Sequence, residues 1–270
     1  MTWTILALII AVALYMFGTE YIKLDPKKSK VMHNIVHKSV HLVAIALLIV
    51  GVARIWTPVY LTSVNPGIVM EMVKGAQAAE QNKSSGEIKK YVKKNMDRMM
   101  ENAPIMGNEA GSKTIFFFTD MLCPYCARAH SELARVVEDN SDVRVVIKNM
   151  PLPMHGEEAV MAARATIAAK IQSNAKAIAL DEALMKDFAK WAVKNDLKAS
   201  TKNVMDLAKK AGLDTERLEK DMKGDVVRNE LAQVSELAQR FGIQGTPFLI
   251  VGDQAFPGAV PAAQIKQALR

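Results

Sequence analysis

Two cysteines occur in the 270 residues, and both fall in one four-residue run, Cys123-Pro124-Tyr125-Cys126. The run stands at a junction. Directly before it, Lys113 to Phe118 (KTIFFF) is an apolar segment of strand character. Directly after it, Pro124 or Tyr125 to Glu138 carries Ala129, Leu133, Val136 and Val137 at helical spacing. Val143 to Lys148 (VRVVIK) is a second β-rich run. A strand, a helix and a strand in this order predict a parallel pair joined by a right-handed crossover. So few cysteines exclude a disulfide-stapled scaffold and a structural zinc site made of cysteine alone.

The junction gives the pair its chemistry. A cysteine at or just before a helix N-terminus faces unpaired N–H groups and the positive end of the helix dipole, which stabilise a thiolate. Cys123 is therefore the expected nucleophile. Cys126, one turn on and less exposed, is the expected resolving thiol. Pro124 suits the first helical turn because no N–H is needed there. Tyr125 places a ring and a hydroxyl at the rim. A dithiol/disulfide site accounts for these residues, with no cofactor and no metal. His130 and His155 lie near in sequence, but a mixed site with the cysteines matches no common zinc spacing. The 16 methionines sit singly or at helical spacing, as flexible core fillers do.

From Pro104 onward the pattern is that of a compact domain. Helical sequence runs from Glu157 to about Phe241, with breaks expected near Ser173–Asn174, Leu197–Thr201 and Ala211–Asp214. Strand character returns at Phe248 to Val251. Gly252-Asp253 reads as a hairpin turn, and Pro261 to Leu269 as a closing helix. The fold class is α/β, split by an inserted helical block.

Two apolar runs precede this domain. Trp3 to Tyr21 has no charge up to Phe17, and Leu42 to Leu61 has only Arg54, near its far end. Each is long enough for a transmembrane helix, with Trp3, Tyr15, Tyr21, Trp56 and Tyr60 as interfacial aromatics. The segment between them carries Lys23, Lys27, Lys28, Lys30 and Lys38 against Glu20 and Asp25. Positive charge marks the cytoplasmic side, so the N-terminus and everything after about residue 61 are expected outside. His33, His37 and His41 repeat at i, i+4 there, as an interfacial feature. The resulting organisation is a membrane anchor over 1–61 (spans 3–21 and 42–61), a helical linker over 62–102 and a catalytic domain over 103–270, with the insertion at about 156–241. Ile88, Val92, Met96, Met99 and Met100 form a stripe in the linker, fit either to lie on the domain or to join a second copy. The formal net charge of +7 is spread among near-balanced acids, which argues against a nucleic-acid partner.

With these residues in place, Ala103 to Arg270 resembles the thioredoxin-fold disulfide oxidoreductases of the bacterial periplasmic DsbA kind. The resemblance rests on PIMGN, on TDMLCPYC, on VRVVIKNMPLPMH and on GIQGTPFLIVGDQAFPGAV (Gly242–Val260). It implies a thioredoxin-like fold, a cis peptide before Pro247 facing the cysteines, and Thr246 beside it offering its backbone to an extended substrate. It also implies exported substrate proteins with cysteines, and a membrane redox partner that reoxidises or reduces the pair. The site would face the periplasm from a bacterial inner membrane. Three departures stand out. Many relatives carry a buried acid six residues before the nucleophile, where this chain has Phe117; Asp120 and Glu109 are the nearby acids, with Asp120 expected as a solvated cap of the loop. Pro-Tyr replaces the Pro-His of the strongest oxidants. Two spans replace a soluble exported form. Disulfide introduction is the expected activity. Reduction or isomerisation uses the same atoms and stays open, as does a peptide-binding scaffold without turnover.

Overall fold

The computed structural model describes Glu71 and residues 86–270. Both apolar runs, their intervening segment and its three histidines lie outside these residues. Among the described residues no helix is long and apolar enough to cross a membrane. The chain divides between Glu80 and Gln81, and the second unit, Gln81–Arg270, is the one described below.

That unit opens with helix α1 (86–100). Strand β1 (Ile105–Gly107), β2 (Lys113–Thr119), helix α2 (Pro124–Glu138) and β3 (Val143–Asn149) follow. A 3-10 turn (Pro153–His155) leads into α3 (Gly156–Gln172), α4 (Asn174–Lys186), α5 (Phe188–Trp191), α6 (Leu197–Lys210), α7 (Thr215–Asp221) and α8 (Asp225–Phe241). The chain closes with β4 (Phe248–Val251), β5 (Gln254–Pro257) and α9 (Ala262–Ala268). The sheet order is β1-β3-β2-β4-β5. β2 and β3 run parallel, Lys113 opposite Val143 through Thr119 opposite Asn149. Every other pairing is antiparallel. This is a thioredoxin-like sheet with a helical region inserted between β3 and β4.

Both faces of the central strands are covered, which explains why KTIFFF is apolar without alternation. Strand periodicity sends Ile115 and Phe117 to one side and Phe116 and Phe118 to the other. The first pair joins Val143, Val145, Ile147, Leu249 and Val251 under α2, α3 and α9. The second joins Val146 and Ile250 with Val234, Leu237 and Phe241 of α8 and with Ile88, Val92 and Met99 of α1. The methionine-rich stripe of α1 thus packs on its own domain. Gly107 has φ +87°, and a Cβ there would stand 2.7 Å from both Val137 and the Val143 carbonyl, so only glycine fits where β1 ends.

The inserted helices depart from expectation in register. Breaks fall at Ser173 and at 211–214 as read, but the break expected at 197–201 lies at 192–196. Asp196 caps α6 by accepting the Ala199 N–H at 2.9 Å. Ser200 and Thr201, which read as breakers, donate back to the carbonyls of Asp196 and Leu197 and so sit inside the helix. Further breaks, at Asp187 and at 222–224, carried no clear sequence signal. Strand β5 was also not anticipated beyond the Gly252-Asp253 turn that leads into it. It is an edge strand, with Pro257 at its last position, where a missing N–H costs little.

Two buried charge pairs tie the insertion to the sheet layer. On one side, Lys148 of β3 donates to Glu230 (2.5 Å) and Gln233 (2.8 Å) of α8 and to the Met99 carbonyl of α1 (2.8 Å). Burial drives the Lys148 ammonium down against the pull of Glu230. On the other side, His130 Nε2 of α2 lies 2.9 Å from Asp181 Oδ2 of α4, close but without an aligned hydrogen bond. Burial lowers the His130 pKa, and Asp181 with Glu182 raises it by more, so the net direction is upward. A raised histidine pKa means stability held below the unfolded value of about 6.5 and lost as pH rises through the folded value. Thermal unfolding of the chain is therefore expected at falling temperature as pH rises from about 6 toward 9, and Asp181→Asn is expected to flatten that slope. An unchanged slope in the variant refutes the assignment.

Candidate active site

The cysteine pair sits where β2 hands over to α2, at the end of the sheet's central parallel pair. Cys123 is the residue before the first turn, with extended backbone (φ −85°, ψ 115°), and Pro124 takes the first helical position. The Cys123 carbonyl accepts from the N–H groups of Cys126 (3.0 Å) and Ala127 (3.2 Å), so the motif itself starts the helix. Cys123 is 6% exposed and Cys126 0%. This is the expected asymmetry of an outer and an inner sulfur.

The inner thiol is chemically restrained. Burial pushes the Cys126 pKa up to about 12. The rise is eased by Thr246, by the Asp120 N–H, which donates to Cys126 Sγ at 3.4 Å, and by Thr119. The two threonine hydroxyls are near enough to ease it, although neither meets hydrogen-bond geometry. The outer thiol meets the loop before β4: Cys123 Sγ donates to the Thr246 carbonyl at 3.5 Å. The Thr246–Pro247 peptide is cis, as the resemblance implied. The Gly258 N–H donates to the Pro247 carbonyl at 2.8 Å and closes this loop from β5's far end. Tyr125 is 60% exposed, with the Arg128 guanidinium 5.6 Å from its ring centroid. All six residues singled out in the sequence, Cys123, Pro124, Tyr125, Cys126, Thr246 and Pro247, thus meet around one site.

The nearby acids and histidines behave differently from expectation. Phe117 is fully buried in the core, so no acid stands six residues before Cys123. Asp120 is not solvated: it is 1% exposed. Its Oδ1 accepts the Leu122 N–H at 2.7 Å and its Oδ2 the Leu152 N–H at 2.6 Å. It does cap the loop, but from inside, and His155 Nδ1 lies 3.0 Å from Oδ2. Sequence reading missed this contact because 35 residues separate the partners. Glu109 pairs with Lys170 at the surface. Among the described residues no three His, Cys, Asp or Glu side chains cluster as a metal site would require.

Residues 114–270 match the model of the DSBA-like thioredoxin domain. The chain belongs to that family. Solved structures agree with the assignment. A thioredoxin-like oxidoreductase from Silicibacter pomeroyi is 37% identical, with 64% of this chain and 94% of that one covered and a TM-score of 0.55. The catalytic domain of Proteus mirabilis ScsC is 27% identical over 67% of this chain and 96% of that one, with a TM-score of 0.55. A periplasmic thioredoxin-like protein from Salmonella enterica serovar Typhimurium is 31% identical over 63% and 91%, with a TM-score of 0.50. Comparison with curated protein sequences finds no match. The DSBA-like domain and its cysteine pair support a thiol–disulfide oxidoreductase activity.

Proposed function

We propose that the protein is a membrane-tethered oxidoreductase that introduces disulfides into exported proteins through Cys123 and Cys126. The observation that carries this reading is the placement of Cys123 at the start of α2, its sulfur directed at the Thr246 carbonyl beside Pro247. A substrate strand running along that loop would bring its own sulfur to the outer cysteine. In the oxidising direction a substrate thiolate attacks Cys123 Sγ of the disulfide, and Cys126 leaves as a thiolate and takes up a proton. A second substrate thiolate then attacks the substrate sulfur of the mixed disulfide. The new substrate disulfide forms and Cys123 departs reduced. Both electrons end on the enzyme pair, and a membrane redox partner would remove them.

The high pKa of Cys126 favours its protonation once released, which drives the first step forward at neutral pH. The inner-membrane location rests on the two apolar runs, and the periplasmic orientation on the lysines between them. The Salmonella relative, described as periplasmic, supports the same side. Thr246 and Pro247 are proposed as the substrate-facing edge, and Tyr125 as a rim contact.

The reduction potential tests the direction. Equilibration of the full chain with glutathione is expected to give a value nearer the roughly −120 mV of a strong oxidant than the roughly −270 mV of a reductant. A value near or below about −230 mV would overturn oxidation in favour of reduction.

A further inference from the structure

Cys126 must ionise, or leave as an anion, in every direction of exchange, yet it is fully buried. The chain also lacks the acid that many relatives place six residues before the nucleophile, since Phe117 fills that position within the core. Some other arrangement has to stabilise charge on the inner sulfur.

One polar donor reaches it from the backbone, the Asp120 N–H at 3.4 Å. The direction of that N–H depends on how Asp120 is held. Three bonds fix the residue. Its own carbonyl accepts the Cys123 N–H at 3.1 Å, and its carboxylate takes the N–H of Leu122 on the cysteine side and of Leu152 on the β3 side. The ladder extends to the same point, because the Met150 N–H donates to the Thr119 carbonyl at 2.7 Å. Asp120 is thus a knot between the active-site turn and the chain leaving β3. A buried carboxylate in this place needs a counter-group, and the His155 ring supplies one, with Nδ1 at 3.0 Å from Oδ2. His155 comes from the 3-10 turn at the surface, next to Met154, which is 83% exposed. It is the member of the set that a solvent-side event can reach.

Resting on the exchange reading, we propose that His155 is a positioning residue that acts through Asp120, holding the Asp120 N–H against Cys126 Sγ so that the inner sulfur can carry negative charge during exchange. The pair takes the place of the missing acid by a different device. An oriented backbone dipole stabilises the thiolate, and the carboxylate–imidazole pair keeps the dipole in place. Protonated His155 balances the Asp120 charge and ties the turn Pro153–His155 to the loop of the cysteines.

The test follows the two steps of oxidation by glutathione disulfide. First, the Cys123 thiolate attacks the disulfide, forms a mixed disulfide and expels one glutathione thiolate. Then Cys126 loses its proton to water and attacks Cys123 Sγ. The Cys123–glutathione bond breaks with its electron pair going to the glutathione sulfur, which takes up a proton. Acid quenching and mass measurement of the full chain in detergent give both rates. In His155→Ala the second step is expected to slow about tenfold, the scale of one charged hydrogen-bonded contact, and by more than the first. His155→Gln, whose amide N–H can donate to Oδ2, is expected to recover part of that loss. Asp120→Asn, which sets a donor against the Leu152 N–H, is expected to slow closure at least as much, and it decides the matter if the alanine variant does not fold. Closure within twofold of the unaltered chain in these variants, or an equal slowing of both steps without recovery by glutamine, overturns the proposal. Should the unaltered chain form no mixed disulfide, the exchange reading itself fails.

Discussion

Cys123→Ser is expected to reduce thiol–disulfide exchange to the uncatalysed background, whereas Cys126→Ser is expected to leave the protein covalently joined to its substrates. The two cysteines differ in reach, and the difference dictates both outcomes. Cys123 directs its sulfur toward the Thr246 carbonyl, at the edge where another chain can lie. Oxygen at this position is a far weaker nucleophile at neutral pH and cannot form the mixed disulfide, so no partial pathway remains. Cys126 is enclosed and meets only the atoms behind it. Its loss spares the first attack by Cys123 on a substrate disulfide but removes the thiol that would release the product. Mixed disulfides should then accumulate and be visible as bands sensitive to reductant on non-reducing gels of cell envelopes. A Cys123→Ser variant that retains exchange, or a Cys126→Ser variant that never traps a partner, sinks the enzyme reading and favours a scaffold without turnover.

The second large effect concerns stability. Lys148→Met is expected to destabilise the described unit by about 3–5 kcal/mol, because Glu230 would be left as a buried charge without its partner. For a domain of this size that corresponds to a fall in Tm of roughly 6–20 °C. Three elements meet at the Lys148 ammonium: β3, α8 and the end of α1 through the Met99 carbonyl. Its surroundings are the aromatic and aliphatic side chains of the second core, so water cannot replace the lost contact. The double replacement Lys148→Met with Glu230→Leu is expected to recover most of the loss, since desolvating both ions costs nearly as much as their attraction returns. Thermal unfolding of the single and double variants measures this. Equal destabilisation in both would mean that packing shape, rather than the unpaired charge, sets the cost.

The sequence by itself determined the chemistry and the half of the fold that surrounds it. Local physics was enough there. An apolar run without alternation had to be a strand covered on both faces. A cysteine followed by proline had to start a helix, and a second cysteine one turn on had to face inward. The match of GTPFLIVG to a known family supplied the loop opposite, although no local rule places Thr246 beside Cys123. Only the tertiary structure decided the polar interior. Asp120 reads as a loop cap, and its burial depends on Leu152 and His155 arriving from the end of β3. Lys148 reads as the polar end of a strand, and its partner lies on a helix beyond the whole insertion. His130 reads as an ordinary helix residue until α4 brings Asp181 against it. Within one element, periodicity and capping are set by neighbours a few residues apart, so they can be read along the chain. A buried charge is tolerated only where a distant segment supplies its counter-charge, and which segment does so is settled by how the layers pack.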